Sequence, residues 1–112
     1  MDRLDPSTTL ILVVDVQEKL AAAMPEESFA TLVKNAGILL EAARVLGVPV
    51  LASEQYPKGL GPTVPAIAEK LAPLGVTPMA KMTFDACSDL AIARAISDIA
   101  PRSVVVVGME SH

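Results

Sequence analysis

Apolar residues in this chain come in short β-rich runs separated by stretches of helical spacing. Thr9 to Val14 (TLILVV) is unbroken by any polar position except its opening threonine and ends abruptly at Asp15, the pattern of a strand covered on both faces. From Glu26 to Leu46, apolar residues recur at Phe29, Leu32, Val33, Ala36, Leu39, Leu40, Ala43 and Leu46, which predicts a helix laid on a core. Pro25 suits the start of that helix and Gly47 its carboxyl-terminal cap. Val48 to Ala52 predicts a second strand, with Pro49 near its start where a missing N–H is tolerable.

Ser53 to Thr63 (SEQYPKGLGPT) is rich in Gly and Pro and reads as a loop. A short helix is predicted over Val64 to Ala72, a weaker third strand over Val76 to Ala80, and a second amphipathic helix over Ala86 to Ile99. Ser103 to Val107 (SVVVV) is the fourth strand, running into Gly108-Met109-Glu110-Ser111-His112. Strands alternate with helices and no hairpin signal intervenes, so the expectation is an α/β domain: a parallel sheet of four strands with helices on both faces, joined by right-handed crossovers.

In such sheets ligands sit outside the carboxyl ends of the strands. Here those ends carry Asp15-Val16-Gln17, then Ser53-Glu54-Gln55-Tyr56, then Lys81-Met82-Thr83-Phe84-Asp85, and finally the Gly108 to His112 segment. For any one of these residues alone, a polar group where the chain leaves the core is ordinary. What stands out is that all four strands deliver polar groups to one edge.

Composition narrows the chemistry. With 112 residues there is room for one domain. Apolar residues make up 52% and aromatics only 3%, so the core must be aliphatic, and a domain this small is expected to leave apolar surface for a partner. A homo-oligomer is therefore expected. Net charge is −4 with the basic residues scattered, which gives no footprint for nucleic acid. No apolar run approaches the roughly 20 residues of a membrane span, and the opening residues do not read as a signal peptide. Those observations lead to the expectation of a cytoplasmic protein with no membrane partner.

The one cysteine, Cys87, and the one histidine, His112, leave a cysteine-based or histidine-based metal site without a second ligand at suitable spacing. No metal and no cofactor are expected. Cys87 itself, near the start of the second amphipathic helix, reads as a small buried hydrophobe. The first strand is followed by DVQEKL where a dinucleotide fold needs G-x-G-x-x-G, and no P-loop is present, so a flavodoxin-like or nucleotide-binding reading fares badly.

Taken together, Asp15 in DVQ, the loop SEQYPKGLGPTVP, Lys81 in AKMTFDA and the terminal VVVVGMESH resemble the isochorismatase-like cysteine hydrolase family, in particular its branch of isochorismatase domain-containing proteins. The resemblance runs over the whole chain, and EQYPKGLG and VVVVGMESH are its most specific pieces. It implies a three-layer Rossmann-like α/β fold, of which residues 1–112 form the N-terminal part and four strands. It further implies an Asp-Lys-Cys triad that hydrolyses a small amide, imide or ester. Asp15 would be the general base and Lys81 the cation favouring thiolate. Met109 and Glu110 would form the oxyanion-hole turn with a cis peptide between them. Gln17, Tyr56, Phe84 and His112 would be pocket residues.

The family's cysteine would fall two positions beyond His112, so residues 1–112 alone are expected to be inactive. The metal site of the nicotinamidase branch would fall where this chain reads SEQYP, without histidine. Asp15 and Lys81, taken as the first polar residues after neighbouring strands, are expected within salt-bridging distance. The alternative to a hydrolase is a binding or assembly protein that retains the fold without catalysis.

Overall fold

The computed structural model describes residues 5–81 and 89–108. Four strands, β1 (Thr9–Val14), β2 (Val50–Gln55), β3 (Met79–Lys81) and β4 (Ser103–Gly108), form one sheet in the order β3-β2-β1-β4, and every pairing is parallel. The chain steps outward from β1 to β2 to β3 and then crosses back to lay β4 on the other side of β1. With right-handed crossovers, this reversal puts the helices of the first two connections on one face and the helix of the third on the opposite face. The protein is accordingly a three-layer α/β domain.

Burial follows that arrangement. Ile11 and Val13 of β1 and Val50 and Ala52 of β2 are paired in register and share one core cluster. Ala36, Leu40 and Ala43 of α2 (Glu26–Leu46) and Ile67 and Leu71 of α4 (Pro65–Leu71) belong to the same cluster. Leu10 and Leu12 alternate to the other face and are also buried, as is Ile92 of α5 (Leu90–Ile99), and none of these three joins that cluster. Covering both faces of β1 explains why its sequence is uninterruptedly apolar.

Helix ends carry their usual signals. α2 has Glu26 and Glu27 in its first turn, Arg44 in its last, and Gly47 at φ 72° as its left-handed cap. Asp89 caps α5 by accepting from the N–H groups of Ala91 and Ile92.

The structure departs from the sequence-based expectation at several elements: β2 starts at Val50 and not Val48, and α5 starts at Leu90, after its extended Asp89 cap, and not at Ala86. β2 continues through Ser53, Glu54 and Gln55, which read as loop, because Ser53 to Gln55 pair in register with Met79 to Lys81. β3 begins only at Met79: Pro78 has no N–H to offer a ladder, and the Val76 N–H instead bonds the Leu71 carbonyl at the close of α4. Two short helices, α1 (Glu18–Ala22) and α3 (Pro57–Leu60), were not anticipated.

Candidate active site

The carboxyl ends of β1, β2 and β3 meet in a cluster of buried polar side chains. Ser53 is paired with Val14, and Gln55 with Lys81, so Ser53, Gln55 and Lys81 all leave the sheet on the face opposite α2 and α4. Continued as a strand, β1 would send Asp15 to the α2 face with Val13. Asp15 instead adopts φ 55°, a left-handed conformation that aspartate tolerates better than most residues. The turn brings its carboxylate to the opposite side, where Oδ1 accepts from Ser53 Oγ at 2.9 Å and Oδ2 accepts from Lys81 Nζ at 2.9 Å.

Such a backbone costs roughly 1–3 kcal/mol. The two hydrogen bonds at Asp15, from Ser53 and Lys81, form only in that conformation and so act against its cost. The Lys81 side chain is 0% exposed and that of Asp15 is 11% exposed, which makes this a buried ion pair. Lys81 Nζ also donates to Gln55 Oε1 at 2.9 Å. The two residues do not sit on adjacent strands, as the sequence suggested: β2 lies between β1 and β3, and the long lysine side chain reaches across it.

Gln17, expected to line a pocket, is 0% exposed and acts as a fastener. Its Oε1 accepts from the Gln55 N–H at 2.7 Å, and its Nε2 donates to the Gln55 carbonyl at 3.0 Å and the Gly61 carbonyl at 2.8 Å. On the opposite side of the same segment, Glu54 Oε2 accepts from both the N–H and the hydroxyl of Thr63, at 2.7 and 2.8 Å. The stretch from Tyr56 to Pro62 is therefore tied down at both ends. Tyr56 is half exposed at the end of β2, in a left-handed conformation (φ 39°), and its N–H bonds the Lys81 carbonyl. A side chain on Gly59 would stand 2.5 Å from the Tyr56 ring, so glycine is what lets the ring lie there.

The structure thus brings together Asp15 and Lys81, and joins Tyr56 to Lys81 through the backbone, with its ring lying over Gly59. Phe84, Met109, Glu110, His112 and Cys87 lie outside the described residues, as does the peptide between Met109 and Glu110. Sequence reasoning missed Ser53 and Gln55. Their alternation about Glu54 was the available signal, because residues two apart on a strand share a face. Every buried side-chain nitrogen or oxygen among the described residues has a hydrogen-bond partner. Among those same residues no three His, Cys, Asp or Glu side chains are grouped to hold a metal ion, and no helix is long and apolar enough to cross a membrane.

Comparison with known proteins adds a family. Residues 9–112 match the model of the isochorismatase domain. Isochorismatase domain-containing protein 2 of Danio rerio is 39% identical over 111 residues, which cover 98% of this chain and 53% of the relative. Among solved structures, a MAR1 ribonuclease from Caenorhabditis elegans superposes with a TM-score of 0.81 at 31% identity, over 97% of this chain and 54% of that one. The YcaC gene product of Escherichia coli, described as an octameric hydrolase of unknown specificity, superposes with a TM-score of 0.78 at 20% identity, over 96% of this chain and 52% of that one. The chain spans about half the length of the relatives it matches.

Proposed function

The chain belongs to the isochorismatase domain family, and from that premise we propose that it supplies two members of the catalytic set of a cysteine hydrolase. Asp15 is the general base, Lys81 is the cation that favours thiolate, and the nucleophile is a cysteine two positions beyond His112. The substrate is a small amide, imide or ester. The thiolate attacks the acyl carbon, forming a C–S bond as the C–N or C–O bond breaks. Asp15 takes the thiol proton and returns it to the leaving atom. Water then cleaves the thioester, regenerating the thiol.

The observation that supports this reading is the buried Lys81–Asp15 pair at the sheet's carboxyl edge. Desolvating each ion costs several kcal/mol, and well-packed apolar residues commonly stabilise a fold as well as such a pair does. Stability alone is thus a weak reason to keep it, whereas a base beside a fixed cation is what a thiol of ordinary pKa near ~8.5 needs to react near neutrality.

The test uses protein extended by the residues that follow His112 in its natural gene. Iodoacetamide is expected to label a cysteine two positions beyond His112 faster than Cys87. Asp15→Asn is expected to slow labelling and turnover by about 10²–10⁴-fold, the range for loss of a general base. Equal rates in the Asn variant would remove Asp15 from the mechanism. Alanine, serine or glycine at the nucleophile's position would favour the assembly reading. Ribonuclease chemistry is a second reading, prompted by the name of the Caenorhabditis elegans neighbour. The net charge of −4 argues against it, and the absence of any anisotropy change with fluorescein-labelled RNA would dispose of it.

A further inference from the structure

We propose that Gln55 is a positioning residue: a neutral acceptor that fixes where the Lys81 ammonium points without cancelling its charge. This inference rests on the assignment of Lys81 as the site's cation. A lysine ammonium is a compact charge on a flexible four-carbon stem, so each acceptor that meets it narrows the directions it can take. Gln55 Oε1, 2.9 Å from Nζ, provides a second direction. The sheet register makes this contact local, since Gln55 and Lys81 are partners on neighbouring strands and their side chains leave the same face side by side.

Gln55 is itself held. The Gln17 carboxamide grips both the N–H and the carbonyl of Gln55, a two-point match between a side-chain amide and a peptide group. The donor and acceptor ends of both glutamines are dictated by their partners, because an ammonium can only donate and a carbonyl can only accept. The grip extends to the Gly61 carbonyl, so the placement of the Tyr56 to Pro62 segment and that of the ammonium share one fastening.

The amide's neutrality carries the functional content. Asp15 and Lys81 sum to zero charge, and a nearby anion such as a thiolate still meets a cation held in a fixed direction. A glutamate at position 55 would hold the ammonium equally well but would add a second negative charge. Geometry and charge can therefore be separated by substitution.

Two measurements test this. On the 112-residue chain, ¹⁵N-detected NMR of labelled lysine should show Lys81 ammonium protons in slow exchange. That signal should persist in Gln55→Glu and be lost in Gln55→Met and in Gln55→Asn, whose acceptor is withdrawn by one methylene. Persistence in both of the latter would overturn the proposal. On the extended protein, iodoacetamide alkylation of the cysteine two positions beyond His112 should slow by at least about tenfold in Gln55→Met and also in Gln55→Glu. A purely structural role would leave Gln55→Glu at the parent rate, and that outcome would overturn the neutral-acceptor idea. Asp15→Asn run alongside separates the two levels. If it slows alkylation while both Gln55 variants do not, the inference about Gln55 fails and the reading of the site stands. If it is without effect, the reading of the site fails, and the ammonium signal still decides whether Gln55 holds Lys81.

Discussion

Lys81 Nζ and Asp15 Oδ2 stand 2.9 Å apart although their strands are not neighbours. The lysine crosses over β2, and Ser53 and Gln55 of that intervening strand each take one end of the pair. Contact between the ions thus depends on all three strands being in register and on the left-handed turn at Asp15.

Removing one ion should be far worse than removing both. Asp15→Ala takes the carboxylate away from a wholly buried lysine and should destabilise the fold by about 3–5 kcal/mol. The double variant Asp15→Ala with Lys81→Met should recover most of that loss. Urea denaturation of the four proteins of this cycle gives the coupling energy directly. Additive losses would mean that the pair does not interact in solution as it does in the structure.

The Gln17 fastening should be needed locally. Gln17→Leu orphans the Gln55 N–H, the Gln55 carbonyl and the Gly61 carbonyl, and one unsatisfied buried group alone costs about 1–3 kcal/mol. Release of the Tyr56 to Pro62 segment is expected before global unfolding, since segments open in cooperative units. Limited trypsin digestion should then cut after Lys58 in Gln17→Leu under conditions where the parent is resistant. Equal resistance would show that Glu54 and Thr63 hold the segment by themselves.

Much of the fold was legible because its signals are local. The β1 run, the periodicity of α2, and Gly47 at its end needed no knowledge of partners, and α2 spans the residues its spacing marks out. The carboxyl half of β2 was not legible. Ser53, Glu54 and Gln55 are polar, and what keeps them in a strand is pairing with β3 and the carboxamide of Gln17, contacts made across 26 and 38 residues. The same holds for the site. Asp15 and Lys81 stand out as polar groups at strand ends, but Ser53 and Gln55 acquire their meaning only from the sheet order β3-β2-β1-β4, which places β2 between the ions. The left-handed turn at Asp15 has no sequence signal beyond aspartate's tolerance for it.

Gly108 should resist enlargement. It is paired with Val14, and a Cβ there would meet the Val14 carbonyl oxygen at 2.5 Å and the Val14 Cβ at 3.1 Å. The first of these is backbone and cannot rotate away, so β4 would have to shift from β1 next to Asp15. Gly108→Ala should cost about 1–3 kcal/mol, the usual range for overpacking, with Gly108→Val worse. Chemical shifts should move first at Val14 and Asp15. A neutral Gly108→Ala would indicate that the two strands separate there at no cost.

The exposed face of β4 should govern self-association. Val104 is 43% and Val106 is 63% exposed, and both point to the face that carries the buried Leu10 and Leu12 of β1. β4 also has β1 as its only described neighbour, which leaves one side of its backbone ladder without a described partner. A valine-rich edge of this kind is a template for pairing with another chain, and lysine on such an edge is the usual protection against it. The 112-residue chain is therefore expected to associate in a concentration-dependent way by light scattering. Val106→Lys should shift it toward monomer with little change in stability, because that side chain is mostly in solvent already. Ile38→Lys is the control: Ile38 is also exposed but lies on α2, away from the sheet edge, and should leave association unchanged. If Ile38→Lys dissolves the assembly and Val106→Lys does not, the outer surface of α2 is the sticking face and the edge of β4 is not.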